Sequence, residues 1–363
     1  MALPDLHSFE LDSPYRRLAK ALDALPQRFP PADDESDLRL LAYLFTPEQA
    51  ALAGSLLPEF ETVDQISSRL GREPGETRAM LKEMASKGLV SFGKTGAGRA
   101  GFSLKPWVVG IFEAQGGRID AELSRLYEDY YQKAFGTALR IRPQVHRVVP
   151  IQQTIKNNME VQPYESATAL VDRAQAWAVQ DCICRKQVAL IGKPCGHPID
   201  VCMTLGNIPG MFDGGDPAFG LRPLTHDEAL ETLKRAAAAG LVHCVSNNQR
   251  DTWYICNCCT CGCGVLRGMA ELGIANVVAK SAFVNTVDEA LCAACEDCLP
   301  VCQFGALTMD GVVHVDVVKC AGCGVCVPAC PQGALGLVRR GEVDAPPVDE
   351  RGWMDERWRL STN

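Results

Sequence analysis

Eight cysteines near the C-terminal end of the chain have a spacing suited to metal chemistry. Two runs follow the pattern C-x2-C-x2-C-x3-C, and a proline comes directly after the second run. The first run consists of Cys292, Cys295, Cys298 and Cys302, and the second of Cys320, Cys323, Cys326 and Cys330. In this pattern three thiolates surround one [4Fe–4S] cluster, and the fourth cysteine reaches a partner cluster. Zinc is the main alternative, but zinc sites use pairs of C-x2-C rather than triplets with a trailing fourth cysteine.

The spacing therefore predicts a crossed set of ligands for two clusters. Cluster 1 is assigned to Cys292, Cys295, Cys298 and Cys330, and cluster 2 to Cys320, Cys323, Cys326 and Cys302. Residues 288 to 340 resemble the bacterial-type ferredoxins that carry two [4Fe–4S] clusters. The resemblance implies the ferredoxin fold with two short hairpins, and one-electron transfer without substrate chemistry. One position departs from it, because Gln303 stands where this family usually has a proline.

Nine further cysteines are concentrated in the middle of the chain. They are Cys182, Cys184, Cys195, Cys202, Cys256, Cys258, Cys259, Cys261 and Cys263. The last five fall within the run CNCCTCGC, which has no helical or strand periodicity that would place all of them in a core. The density predicts one or two additional metal sites.

The ligand pairing in this middle region is open. The simplest assignment joins Cys182, Cys184, Cys195 and Cys202 in one cluster and gives the second cluster four of the remaining five. The competing hypothesis mixes ligands from both groups. Zinc in one group is a further alternative, because soft thiolates suit both metals. His197 and His243 are candidate substitutes for a cysteine ligand, whereas Cys244 is interpreted as a core thiol and the lone His146 as structural.

Length, composition and charge limit the class of protein. The chain has 363 residues and 18 cysteines, and its length predicts two or three domains. Its formal net charge of −8 disfavours general nucleic-acid binding. The sequence has no apolar run long enough for a membrane span and no signal-peptide core at its N-terminus. We therefore expect a cytoplasmic protein whose thiols serve metals rather than disulfides.

Five segments are expected in an α+β, multidomain chain. They are an N-terminal helix and linker (1–36), a winged-helix-like domain with a following helix (37–140), a cysteine-rich iron–sulfur domain (141–287), the ferredoxin domain (288–340) and a C-terminal tail (341–363). In the first segment a helix is predicted to start at Ser13-Pro14. In the third segment helices are predicted over about residues 166–179 and from the Thr225 capping box to about residue 239. In the fourth segment Asp310-Gly311 between apolar runs predicts a two-residue hairpin. The tail carries Trp353 and Trp358, and it is interpreted either as an extended docking arm or as a segment packed on its own domain.

The second segment resembles the winged helix-turn-helix of many bacterial regulators. Two helices at a turn and then two short strands are predicted over residues 63–70, 76–87, 89–92 and 101–104. The octapeptide GLVSFGKT also fits a phosphate-binding loop. Such a loop must follow a strand and open a helix, and the glycine-rich stretch after it favours a hairpin instead.

The charges of this segment bear on DNA binding. Between Arg69 and Lys105 the sequence has eight basic and three acidic residues, which is compatible with phosphate contacts. However, Glu73 and Glu76 stand where base-reading residues are expected. A protein-docking scaffold is therefore favoured over a DNA-binding module.

The main functional hypothesis is an iron–sulfur protein that relays single electrons between a donor and an acceptor oxidoreductase. No flavin or nicotinamide fingerprint and no nucleophile–base set is visible, so substrate chemistry is left to a partner. The order of motifs resembles multi-cluster ferredoxin-domain proteins of anaerobic or facultative bacteria, which implies electron transfer and names no substrate. The competing hypothesis is a redox-sensing transcription regulator, and a third is an enzyme with an open iron site in the middle region.

Overall fold

The computed structural model describes residues 9–156, 159–216 and 219–361. The chain divides into two compact units, Met1–Ala138 with Lys186–Lys193 and Leu139–Arg185 with Pro194–Asn363. Helices and strands are mixed, so the α+β class is confirmed. Residues 1–8 of the predicted N-terminal segment and residues 362–363 of the predicted tail lie outside the described residues.

From residue 14 to residue 140 the chain is mainly helical. In order it forms α1 (Pro14–Asp23), α2 (Ser36–Leu44), α3 (Pro47–Ala53), α4 (Val63–Leu70), α5 (Pro74–Ser86), β1 (Val90–Lys94), β2 (Ala100–Leu104), α6 (Ala121–Tyr130) and α7 (Gly136–Arg140). The start of α1 is as predicted, because the Ser13 side chain accepts a hydrogen bond from the Tyr15 N–H and Pro14 occupies the first turn.

Residues 63–104 form two helices and then a hairpin, in the predicted order of elements. Gly71 and Gly88 follow α4 and α5 in left-handed conformation, with φ of 64° and 69°. Strand β1 pairs antiparallel with β2, so a turn and a strand follow GLVSFGKT in place of a helix. This segment therefore lacks the geometry of a phosphate-binding loop. Its membership of the winged-helix class stays a prediction.

The second unit is built on a seven-stranded sheet. Its strands are β3 (His146–Val148), β4 (Ala176–Gln180), β5 (Cys202–Gly206), β6 (Arg222–Leu224), β7 (Val242–Ser246), β8 (Tyr254–Cys258) and β9 (Val278–Ala279), in the spatial order β6-β4-β5-β8-β7-β3-β9. Along this stretch the chain forms α8 (Ala167–Arg173), α9 (Ile183–Leu190), α10 (His226–Ala238) and α11 (Arg267–Ala270), of which residues 186–190 of α9 belong to the first unit. Val171, Leu233 and Ile255 lie in the apolar core between the sheet, α8 and α10.

The helix predicted over residues 166–179 is wrong in its second half. Helix α8 ends at Arg173, and the chain then enters β4. Strand β4 pairs with β5 on one side and with β6 on the other. A short apolar segment suits either a helix or a strand, and the hydrogen-bonding partners on both edges decide for the strand.

The C-terminal part of the second unit contains four strands. They are β10 (Phe283–Val287), β11 (Leu307–Asp310), β12 (Val312–Val315) and β13 (Leu335–Arg339). Strands β11 and β12 form the predicted hairpin, with Gly311 at its apex at a φ of 72°. The other pair, β10 with β13, joins the two ends of the module and is not a hairpin, which differs from the two hairpins that the resemblance implied.

The tail folds back onto its own unit. Residues Glu350–Ser361 form helix α12. The buried Trp353 donates through Nε1 to the Gln144 carbonyl oxygen at 2.9 Å, and Arg357 donates to the Ile141 carbonyl oxygen at 2.6 Å. The extended docking arm is therefore wrong for this stretch, and the packed alternative is correct.

Candidate metal centres

One cavity of the second unit is lined by cysteines from both C-terminal runs. Cys320, Cys323 and Cys326 come from the second run, whereas Cys302 is the trailing cysteine of the first run. The three second-run cysteines that line this cavity are buried. The structure thus brings together the four residues of predicted cluster 2.

The other four cysteines of these runs also lie together. Cys292, Cys298 and Cys330 pack in one cluster of side chains with Val313, which Cys326 of the cluster 2 group also joins. Burial, followed by the charges of Cys330, Cys295 and Cys292, raises the pKa of the Cys298 thiol. Cys295 is exposed, so this group has an edge that faces solvent.

Two hydrogen bonds point at sulfur atoms of the cluster 2 group. The Asn285 side chain donates through Nδ2 to Cys326 Sγ at 3.2 Å, and the Ala306 N–H donates to Cys302 Sγ at 3.3 Å. Donors of this kind stabilise the more negative, reduced state of a bound cluster and raise its potential. Asn285 is buried, so its bond is shielded from water.

Replacing Asn285 with leucine is expected to lower the potential of cluster 2 by roughly 40 mV, because about 1 kcal/mol of differential hydrogen-bond energy has that value for one electron. Potentiometric titration followed by electron paramagnetic resonance measures the shift. Thr286→Val, a change at the next position of β10, serves as the matched control. A potential that stays at the wild-type value in Asn285→Leu would contradict a role for this bond.

Six of the nine middle cysteines form a closed ring of neighbouring side chains, called here the cysteine ring. In order around it lie Cys184, Cys182, Cys202, Cys256, Cys258 and Cys263, with Cys263 again next to Cys184. The sulfur atoms of Cys258 and Cys263 are 3.3 Å apart. The ring mixes the earlier and the later cysteines, and Cys195 lies in a different group.

The sheet explains how the ring is assembled. Cys202 opens β5, and the register between β5 and β8 places it beside Cys256. Cys256 and Cys258 are two residues apart on β8, so their side chains share one face of the sheet. Cys244, interpreted from the sequence as a core thiol, is buried on β7 opposite Cys256, and its side chain adjoins Cys258.

The remaining three middle cysteines form a second group with a histidine, called here the Cys–His group. The sulfur atoms of Cys195, Cys259 and Cys261 and one ring nitrogen of His197 all lie within 4.8 Å of one another. Cys195 Sγ is 4.0 Å from Cys259 Sγ, and Cys261 Sγ is 3.4 Å from His197 Nδ1. His197 was only a candidate substitute in the sequence, and its place in the group comes from the tertiary structure.

A buried arginine lies close to both groups. Arg185 Nη1 donates to the Asn257 carbonyl oxygen at 3.0 Å and approaches Cys259 Sγ at 3.7 Å. Burial opposes its charge, but the thiolates of Cys182, Cys202 and Cys259 raise the pKa of the guanidinium above its ordinary value. A fixed positive charge thus offsets the negative charge of the thiolates.

Two buried histidines have roles that the sequence did not indicate. His146 has no hydrogen-bond partner on either ring nitrogen among the described residues, and it acts electrostatically on Cys256 and Cys263 of the ring. His243, a candidate ligand, instead forms a hydrogen bond through Nδ1 with Asn257 Oδ1, and burial lowers its pKa to about 4. A lone histidine carries no spacing signal, so only the tertiary structure reveals the surroundings of His146, which pairs with Ser246 on β7 and packs against Tyr254 of β8.

Gln303 connects the C-terminal module to the CNCC segment. Its Oε1 accepts from the Thr260 N–H at 3.0 Å and from the Thr260 hydroxyl at 2.8 Å, and its Nε2 donates to the Gly240 carbonyl oxygen at 3.2 Å. A proline has no side-chain group that could form these bonds. The departure from the ferredoxin pattern therefore coincides with a contact between the two metal-binding regions.

Comparison with known proteins agrees with the C-terminal geometry. Residues 291–334 match the family model of the 4Fe-4S dicluster domain, and this match contains both cysteine runs. The segment is a dicluster ferredoxin domain, and the chain is an iron–sulfur protein. No curated protein and no solved structure matches the chain. Within the described residues, no helix has both the length and the hydropathy needed to cross a bilayer.

Proposed function

We propose that the protein relays single electrons between a donor and an acceptor oxidoreductase. The observation that carries the proposal is the adjacency of the cysteine ring and the dicluster domain. Thr260, within the CNCC segment that supplies three ring cysteines, is hydrogen-bonded to Gln303 of the dicluster domain through its N–H at 3.0 Å and its hydroxyl at 2.8 Å. The cluster 1 and cluster 2 groups are in turn linked by their exchanged trailing cysteines. The sites therefore follow one another along the second unit.

The cysteines fit the iron–sulfur clusters that this function needs. When bound, [4Fe–4S] clusters supply one-electron transfer. In the dicluster domain, the four cysteines of each crossed group would hold one cluster. In the middle region, four of the six ring cysteines would hold a third, with Cys202 and Cys256 among them. Several buried nitrogen atoms here have no hydrogen-bond partner among the described residues, namely Nε and Nη2 of Arg185 and both ring nitrogens of His146. Buried donors need acceptors, and the sulfur atoms of a bound cluster would supply them.

The exposure of the cysteines indicates the order of the metal sites along the electron path. Cys323 and Cys326 are buried, whereas Cys295 of the cluster 1 group is exposed. Leu291, next to that group in sequence, is 51% exposed and offers apolar contact area. The cluster 1 group is thus the end that a redox partner would approach, and the cysteine ring is the inner end.

Protein purified without oxygen is expected to contain about twelve iron and twelve sulfide per chain, four of each for every cluster. Electron transfer from a ferredoxin reductase to cytochrome c should require this protein, and its rate should rise with the protein's concentration. We expect Cys295→Ser to slow this transfer at least tenfold, and Ala293→Ser, a change at an exposed position of the same loop that is not a ligand, to leave it near the wild-type rate. Equal transfer rates with and without the protein would contradict the relay.

A redox-sensing regulator is the second candidate, and one observation favours it. Arg78 and Lys82 are exposed on α5, the helix that follows the turn, although Lys87 is engaged by Glu83 at 2.6 Å. In this candidate the segment is a winged helix whose α5 contacts DNA. A salt-sensitive, sequence-specific DNA complex that changes on oxidation supports the regulator. Absence of such a complex, together with reduction by a reductase, supports the relay.

A further inference from the structure

We infer that Cys195, His197, Cys259 and Cys261 bind a single zinc ion, separate from the iron–sulfur sites. The four ligand atoms belong to two short loops and lie within 4.8 Å of one another. The inference does not depend on the relay, because a structural zinc ion transfers no electrons.

The spacing of the ligand atoms fits one zinc ion. Four ligands at about 2.3 Å from a tetrahedral zinc ion are about 3.7 Å from one another. The sulfur atoms of Cys195 and Cys259 are 4.0 Å apart, and Cys261 Sγ is 3.4 Å from His197 Nδ1. The Cys–His group is compact enough for one ion.

The types of ligand point in the same direction. Three thiolates and one imidazole form a Cys₃His set, which is typical of structural zinc. All four tetrahedral positions are then taken by protein atoms, and no position is left for substrate or water. We therefore assign the ion a structural role and no catalytic one.

The surroundings leave space and charge for this arrangement. A Cβ atom at Gly262 would lie 2.9 Å from Arg185 Cγ and 3.4 Å from the sulfur atoms of both Cys195 and Cys259. Glycine at this position thus permits the loop to close around the ligands. Three thiolates exceed the charge of one Zn²⁺ by one negative charge, which the nearby guanidinium of Arg185 offsets.

A bound zinc ion would fix the loop that carries Thr260 and contacts the dicluster domain. Thr260 lies between two of the ligands, Cys259 and Cys261, and it is the residue that binds Gln303 of the dicluster domain. Cys259 is fully buried against Val201 and Leu241, whereas Cys261 is exposed. An ion that joins both cysteines to the loop of Cys195 would hold Thr260 in place.

The test measures metals in the full chain, produced without a histidine tag and purified without oxygen. We expect about one zinc per chain in the wild type, and less than a tenth of that amount in His197→Ala and in Cys261→Ser. Iron and sulfide should stay at the wild-type level in both variants. His314→Ala, at an exposed histidine of β12, is the matched control and should retain its zinc.

A second measurement uses the wild type alone, so it does not depend on the folding of any variant. X-ray absorption at the zinc edge should give three sulfur ligands at about 2.3 Å and one nitrogen at about 2.0 Å. Zinc-free wild-type protein, a zinc shell of four sulfurs, or loss of iron in His197→Ala would each overturn the inference. A failed electron relay with zinc still bound would overturn only the proposed function.

Discussion

Replacing Cys330 with serine is expected to destroy cluster 1, although Cys330 belongs to the second cysteine run. The structure places Cys330 with Cys292, Cys295 and Cys298, so its loss removes one of four ligands from that group. Iron and sulfide should each fall by about four per chain. Cys302→Ser should have the same stoichiometric effect on cluster 2.

Metal content alone cannot tell the two variants apart, so the surviving cluster must be identified. Asn285 donates to Cys326, and its replacement with leucine therefore marks cluster 2 by a shifted potential. In a Cys330→Ser background the remaining dicluster signal should respond to Asn285→Leu. In a Cys302→Ser background it should not. The reverse result would show that each run binds its own cluster and would contradict the crossed assignment.

The second large effect is expected in the cysteine ring. Cys202→Ser should remove the middle cluster and lower the iron content from about twelve to about eight per chain. Cys195→Ser should leave iron unchanged, because Cys195 contacts Cys259 in the Cys–His group instead of the ring. The simplest pairing from the sequence puts Cys195 and Cys202 on one cluster, and it predicts equal iron loss in the two variants.

Folding of these variants is checked by the dicluster signals, which should persist in both. Cys256→Ser provides a reciprocal test, because Cys256 lies beside Cys202 across the β5–β8 pair but comes from the distant CNCC segment. It should lose as much iron as Cys202→Ser. Iron loss in Cys195→Ser equal to that in Cys202→Ser would contradict the division into two groups.

The parts of the fold that sequence reasoning predicted depend on local interactions. The Ser13 cap of α1 and the Thr225 capping box of α10 involve residues within one turn of each other. The hairpin around Gly311 is likewise a local signal. Predictions failed where a partner decides the structure, as in β4, which is a strand because β5 and β6 pair with its edges.

The sequence by itself determined the dicluster domain, because all eight of its cysteines lie in one stretch with a spacing that suits cubane clusters. Only the tertiary structure decided how the nine middle cysteines divide. Neighbouring positions in CNCCTCGC enter different groups, because Cys256 and Cys258 share one face of β8 and join the ring, whereas Cys259 lies beyond the end of β8 and joins the Cys–His group. The partners of each group come from strands and loops far away in the chain, and strand register is a non-local property that spacing does not encode.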